Sequence, residues 1–303
     1  MKEYSFLIDE EWEGERLDRA LSGLIPELSR SYIQKFVKDG QVFVNGTAKK
    51  ASYNLVSKDE IRFELPEMVA PDINPEDIPL EILFEDEQVI VVNKPKGMVV
   101  HPANGHYSGT LVNALLFHCK DLSGINGVLR PGIVHRIDKD TTGSVIACKN
   151  DTSHNCIASQ LKEHSVKRKY RAICIGNLSE DSLTIDAPIG RDDKDRKKMA
   201  IKQNGKRAVT HIKVLEHFKG FTYIECELET GRTHQIRVHM SSIRHPLLGD
   251  VTYGGERKDY KLEGQCLHAH ILGFVHPVTG DYIETVAPIP KYFEDLLTRM
   301  RKL

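Results

Sequence analysis

The chain has 303 residues, 40% of them apolar and 28% charged, and its 42 basic against 43 acidic residues leave a net charge of −1. That composition excludes a disordered chain, a collagen, a disulfide-stapled miniprotein and a uniformly basic surface; the length suggests about two domains. The purest apolar runs, such as Val89-Ile90-Val91-Val92, fall far short of the ~20 residues that a membrane-spanning helix needs. The opening MKEYSFLIDEEWEGE is acidic and lacks the apolar stretch of a secretory signal. Six scattered cysteines form no CxxC pair and read as reduced core residues, so the expectation is a cytoplasmic protein without membrane attachment.

In chain order, Leu17, Ala20, Leu21 and Leu24 recur at helical spacing, and Pro26 ends that helix. Ser29 suits the N-cap of a second helix with Ile33, Phe36 and Val37 on its apolar face and Gly40 just beyond its end. Val42-Phe43-Val44 and the Asn45-Gly46 pair predict a hairpin, and Ile61–Leu65 a closing strand. Arg16, Arg19, Arg30, Lys35 and Lys38 decorate the helices. Four prolines then fall within residues 66–79, PEMVAPDINPEDIP, inside a stretch where residues 59–87 carry eleven acids against Arg62 alone. Proline lacks an N–H and restricts its predecessor, so the expectation is a small domain over 1–66, an extended, self-repelling linker over 67–79, and a large domain over 80–303.

Beyond residue 79, strands are expected at 80–84, 89–92, 145–148, 170–175, 222–228 and 268–275, and helices at 112–119, 152–162 and 292–301. The sum is an α+β protein whose large domain holds a mixed, mainly antiparallel sheet. Charge is segregated: residues 162–171 carry five bases and one acid, and residues 191–207 eight bases and three acids. Such runs suit a polyanion, although each alone fits an ordinary solvated face.

Familiar motifs are absent: there is no P-loop, GxGxxG, GxSxG or HExxH. Residues 138–143, DKDTTG, resemble the start of a calcium loop, but Lys149 stands where the bidentate Glu belongs. His268 and His270 share one face of a strand without a completing ligand. No metal site is expected.

Three other segments are dense in residues with no packing role. Residues 93–102, NKPKGMVVHP, follow a strand and make a tight bend. Residues 132–143, GIVHRIDKDTTG, bring His, Arg and Asp together. Residues 229–240, ETGRTHQIRVHM, follow a strand and open a helix that carries Arg232 and Arg237. A plain turn, a surface ion pair of little worth and helix caps would account for them one by one, but not for all three together.

In this order, with Lys169-Tyr170 in KRKYRAICIG and with HPLLGDVTYGG, the segments closely resemble the RluA-type pseudouridine synthases, in particular the RluD-like enzymes of large-subunit rRNA. HRIDKDTTG matches the signature around the family's catalytic aspartate, and RLDRAL…SRSYIQKFVKDGQVFVNG resembles an S4 RNA-binding domain of the αL type. Departures are mild: Ile137 for Leu, Thr142 for Ser, Cys148 before Lys149, and Arg244 before His-Pro. The resemblance implies Asp138 as the catalytic carboxylate and Arg237 as its partner, a guanidinium favouring the ionised form. It implies Tyr170 against the flipped base. Arg136 would fill the vacated space, and Lys94, His135, Arg232, Ile236 and Lys169 would contact substrate. Lys94, Lys96, Arg168 and Lys169 would grip phosphates around the site. The S4 cations Arg16, Arg19, Arg30, Lys35 and Lys38 would bind RNA.

The implied reaction detaches uracil at N1 and reattaches it through C5. It involves no redox change and no group donor, so no cofactor is expected. Asp138 serves either as nucleophile at C1′ or as base at C2′; the residues leave both open. RNA, in particular loop uridines of 23S rRNA, is the expected partner, and a monomer the expected state. Two other functions compete. A non-catalytic S4 RNA binder would not need Asp138 in its full motif, and a nucleoside glycosidase generally needs a second carboxylate, for which Asp140 is the nearest candidate.

Overall fold

A computed structural model of the chain describes residues 2–25, 30–65, 73–102, 106–125, 130–195 and 197–303. It divides into two units, residues 1–70 and 71–303. In the first, helix α1 (Leu17–Leu24) and helix α2 (Arg30–Lys38) follow strand β1 (Lys2–Leu7) and precede β2 (Val42–Val44), β3 (Thr47–Ala48) and β4 (Glu60–Leu65). The strand order is β1-β4-β2-β3. Leu17, Ala20 and Leu21 of α1 and Ile33 and Val37 of α2 pack with Val42, Val44, Ile61 and Phe63 of the sheet. The β2–β3 hairpin turns on Asn45 (φ 51°) and Gly46 (φ 74°), the positive-φ pair that matches strand twist in a two-residue turn. The Ser29 cap lies outside the described residues.

The second unit is built on a nine-stranded sheet. Its strands are β5 (Ile82–Glu85), β6 (Val89–Lys94), β7 (Thr142–Cys148), β8 (Lys167–Ile175), β9 (Ser182–Asp186), β12 (Val209–Phe218), β13 (Phe221–Leu228), β14 (Leu267–Val275) and β15 (Tyr282–Val286). The order is β5-β6-β7-β14-β8-β13-β12-β9, with β15 on β14. The β7–β14 pair is parallel and the other pairs are antiparallel. A separate hairpin joins β10 (Ile189–Arg191) to β11 (Met199–Ile201). The helices are α3 (Leu111–His118), α4 (Asp151–Lys162), α5 (Gln235–Ser242) and α6 (Lys291–Met300).

Both faces of the central strands are covered, so β6 and β7 read as near-continuous apolar runs. Ile90, Val92 and Val145 pack with Leu111 and Leu115 of α3 and Ile236 and Met240 of α5. Val89, Val91 and Ile146 pack on the other side with Ile157 of α4. Gly143, the second residue of β7, has φ 109°, and a Cβ there would meet the Ala269 carbonyl oxygen at 2.2 Å, so only glycine lets β14 pair so closely.

The linker expectation needs correction over 73–79. These residues form no regular element, yet Ile73 and Ile78 pack on the core of the large unit. The Glu76 amide donates to Asn113 O at 3.0 Å, and Asn113 Nδ2 donates to Asn74 O at 2.8 Å. Apolar burial and backbone bonds to α3 outweigh the repulsion among the acids. Residues 66–72 lie outside the described residues. Among the described residues no helix is long and apolar enough to cross a membrane.

Candidate active site

Asp138 lies on the loop that enters β7, and two bends hold that loop in place. Lys94 closes β6 with a side chain 0% exposed. Its Nζ donates to the carbonyls of Pro95 (2.9 Å), Met98 (2.8 Å) and Lys139 (3.0 Å). The Gly97 amide adds a second bond to Lys139 O at 3.0 Å. Burial pushes the Lys94 ammonium down to about 7, against the charges of Asp140 and Asp138. Its donors are spent on the protein's own backbone, so Lys94 is a clamp on the Asp138 loop and not the substrate contact expected.

The opposite wall comes from the turn after β13 and from α5. Gln235 is buried and ties that turn together: its Oε1 accepts from Thr230 Oγ1 (2.8 Å) and Arg232 N (2.9 Å), while Nε2 donates to Val209 O (2.9 Å). The first turn of α5 thereby presents Ile236 and Arg237 to the cleft. Arg237 Nη1 donates to Asp138 Oδ2 at 2.8 Å. Its Nε and Nη2 grip Asp250 Oδ2 (2.7 Å) and Oδ1 (2.9 Å). Burial works against the guanidinium's charge, but Asp250 and Asp138 outweigh it and its pKa is raised. Asp250, 1% exposed, thus fixes the fork that fixes Asp138.

His234, just before α5, has a left-handed backbone (φ 56°). Its Nδ1 lies 2.8 Å from the Tyr253 hydroxyl, and its Nε2 lies 3.8 Å from Asp138 Oδ2. The hydroxyl also accepts from Met199 N at 2.8 Å. Burial lowers the His234 pKa, opposed by the charge of Asp138.

Arg136, Asp138, Tyr170, Arg232, Ile236 and Arg237 line one pocket, with Thr141, Leu228, His234 and Leu267 among its other walls. An adjoining cleft of about 480 Å³ shares Arg136, Asp138, Tyr170 and Arg232 and adds His135, Lys162, His164 and Arg168. Tyr170 is buried and its phenol pKa is raised by that burial.

Lys169 belongs elsewhere. Successive side chains of β8 point to opposite faces. Tyr170 faces the cleft, while Lys169 pairs with Glu225 at 3.0 Å and Glu227 at 3.3 Å. Strand alternation therefore overturns the substrate role expected for Lys169. His135 does line the cleft, but its Nε2 accepts the Ile146 amide at 3.0 Å, so that nitrogen serves β7 instead of RNA. Burial pushes the ring down to about 4. Lys96 is turned aside as well, with Nζ 4.4 Å from the Tyr292 ring centroid.

In the small unit, Arg16 Nε pairs with buried Asp18 at 3.0 Å, and Arg19 lies 3.5 Å from Glu15. Arg16 is therefore partly committed within its own unit. Lys38 is exposed, and the side chains of Arg30 and Lys35 lie outside the described residues. Asp250, His234 and Tyr253 went unassigned in the sequence, although the quoted segments contain them; only the fold carries Asp250 to Arg237.

His268 and His270 both face Ala287 O, at 3.2 and 2.9 Å, and serve the sheet. Among the described residues, Glu85, His118 and Cys119 are close enough to hold a metal ion. The Lys149 ammonium already sits 2.7 Å from Glu85, and burial pushes the Cys119 thiol up to about 11. That donor set suits an ion pair better than a metal.

Comparison with known proteins accounts for the arrangement. Residues 88–242 match the RNA pseudouridylate synthase family, and residues 15–61 match the S4 domain. The chain is 53% identical to the RNA pseudouridine synthase YlyB of Bacillus subtilis, over 100% of this chain and 99% of the relative. It is 48% identical to the ribosomal large subunit pseudouridine synthase D of Zymomonas mobilis, over 94% and 93%. Human RNA pseudouridylate synthase domain containing 4 superposes with a TM-score of 0.58 at 26% identity, over 73% of this chain and 93% of that structure. The chain belongs to the RluA-type RNA pseudouridine synthases, isomerases that convert uridine to pseudouridine in RNA, and it carries an S4 domain ahead of the catalytic one.

Proposed function

We propose that the enzyme isomerises uridines in loops of large-subunit rRNA, that Asp138 is the catalytic carboxylate, that the target base is flipped into the cleft, and that no cofactor takes part. The observation that carries this is the Asp138–Arg237 pair at 2.8 Å, facing the cleft that Tyr170 lines. The choice of rRNA rests on relatives named ribosomal large subunit pseudouridine synthase D at 40–48% identity. A monomer acting in the cytoplasm completes the reading.

The chemistry follows from the geometry. The N1–C1′ bond breaks, uracil turns, a C5–C1′ bond forms, and the C5 proton leaves as N1 gains one, so atoms balance without oxidant or donor. Arg237 holds Oδ2 of Asp138 and leaves Oδ1 for the ribose, as nucleophile at C1′ or base at C2′. Tyr170 supplies a ring to stack on the base and a protonated phenol. A base in a helix cannot enter such a cleft, and extruding it costs a few kcal/mol, least in a loop. Arg136, exposed at the rim, is suited to support the vacated stack.

Pseudouridine mapping of rRNA from cells with and without the gene tests the substrate. Loss of particular large-subunit pseudouridines, restored by the purified enzyme with no change in RNA mass, is expected. An unchanged rRNA map would remove rRNA as the substrate, and free uracil would indicate hydrolysis instead.

A further inference from the structure

The cations of β8 divide in an informative way. Lys167 pairs with Glu284 at 2.9 Å, Lys169 with Glu225 at 3.0 Å, and Arg171 with Glu225 at 3.0 Å. Arg168, pointing to the other face, has no carboxylate partner among the described residues. It is nevertheless 7% exposed. Its Nη2 donates to the Glu229 carbonyl at 3.0 Å, and its buried Nε has no partner.

A guanidinium stays charged at neutral pH, and burying it without a counter-ion is costly. The surroundings add to the imbalance. Arg136, Lys162 and Arg232 line the same cleft, and Asp138, already held by Arg237, is the one carboxylate among its described lining residues. Burial and the charge of Arg232 both lower the Arg168 pKa, as expected for a cation held among cations.

Gly231 keeps the space that Arg168 uses. A Cβ on Gly231 would lie 2.6 Å from Arg168 Nη1, and its backbone is not in the left-handed region. Alanine can therefore be placed there without backbone strain, at the expense of Arg168's position.

We propose that Arg168, with Arg232, forms a binding site for one phosphodiester flanking the flipped uridine. The site fits an oxyanion: two guanidinium groups, one of them with an uncommitted N–H, line a cleft wide enough for a sugar-phosphate segment and share it with Asp138. It anchors the backbone while the base turns toward Tyr170. The proposal rests on the reading of the cleft as the uridine site.

The test is RNA binding to the full-length enzyme, using a hairpin with a methylphosphonate placed in turn on either side of the target uridine. With wild-type enzyme, neutralising one of the two phosphates should weaken binding about tenfold or more. Arg168→Gln and Gly231→Ala should bind the unmodified hairpin more weakly by a similar factor and show no further loss on that methylphosphonate. The Arg168→Gln salt slope should fall by about 0.7, one single-strand phosphate contact, and Arg168→Lys should recover part of the loss. A merely structural Arg168 leaves the methylphosphonate penalty intact in both variants, and that result overturns the proposal. So does wild-type binding that is indifferent to both methylphosphonates. A wild-type enzyme that binds the hairpin but does not isomerise it refutes the reading of the cleft, while the binding data still decide the phosphate site.

Discussion

At the scale of single residues, the site depends on charges that never meet RNA. Asp250 takes no part in the cleft wall, yet it holds two of the nitrogens of Arg237. Asp250→Asn keeps the shape and removes the charge that orients the fork. Breaking a buried pair costs about 3–5 kcal/mol of stability, and a misplaced Arg237 should lower kcat about a hundredfold with RNA affinity near wild type. Denaturant unfolding and single-turnover kinetics check both; an unchanged kcat would show that Asp138 holds its position without Asp250. Lys94 works in the same way on the other side of Asp138. Lys94→Met takes the donor from the Pro95 and Met98 carbonyls and leaves Lys139 O only its bond from Gly97 N, and should cost on the order of 3 kcal/mol. The folded protein gives up this proton near pH 7 and the unfolded chain near 10.5. Between those values the unfolded state binds more protons, so wild-type stability should rise with pH across that window. Unfolding curves of Lys94→Met should lack that rise; an identical pH dependence would show that Lys94 does not titrate there.

At the scale of elements, alternation along β8 decides which residues matter. Tyr170→Phe keeps the ring and loses the phenol, so it should bind RNA normally and form little pseudouridine if the phenol helps move the C5 proton. Lys169→Ala removes a cation on the far face and should leave kcat unchanged. Single-turnover assays of the pair decide it, and a kcat loss in Lys169→Ala alone would reverse the assignment. The motif resemblance named both residues because they are adjacent in sequence; only the pleat separates them. The same limit applies to other elements. The apolar runs of β6, β7 and β14 and the helical spacing of α1 were legible because burial imposes a period. Strands β9 to β12 were not. β10 and β11 span three residues each beside a basic run, and β12 mixes Thr, His, Lys and Glu into its pattern and has a bulge between Val214 and Glu216. The helix expected around Arg232–Arg237 begins only at Gln235, after the left-handed turn at His234, which spacing could not reveal.

At the scale of the molecule, the two units each have their own apolar core. The small one is expected to add electrostatic affinity. Deleting residues 1–70 should weaken RNA binding and flatten its salt dependence by about 0.7–0.9 per lost phosphate contact, while the remaining unit still isomerises uridine at saturating RNA. A folded but inactive truncation would place the S4 unit in the active site. The central claim concerns Asp138, and the most direct measurement is single-turnover pseudouridine formation by Asp138→Asn on a substrate RNA that it demonstrably binds. The account predicts a folded protein, RNA affinity near wild type and essentially no product; substantial pseudouridine from the purified variant would contradict it.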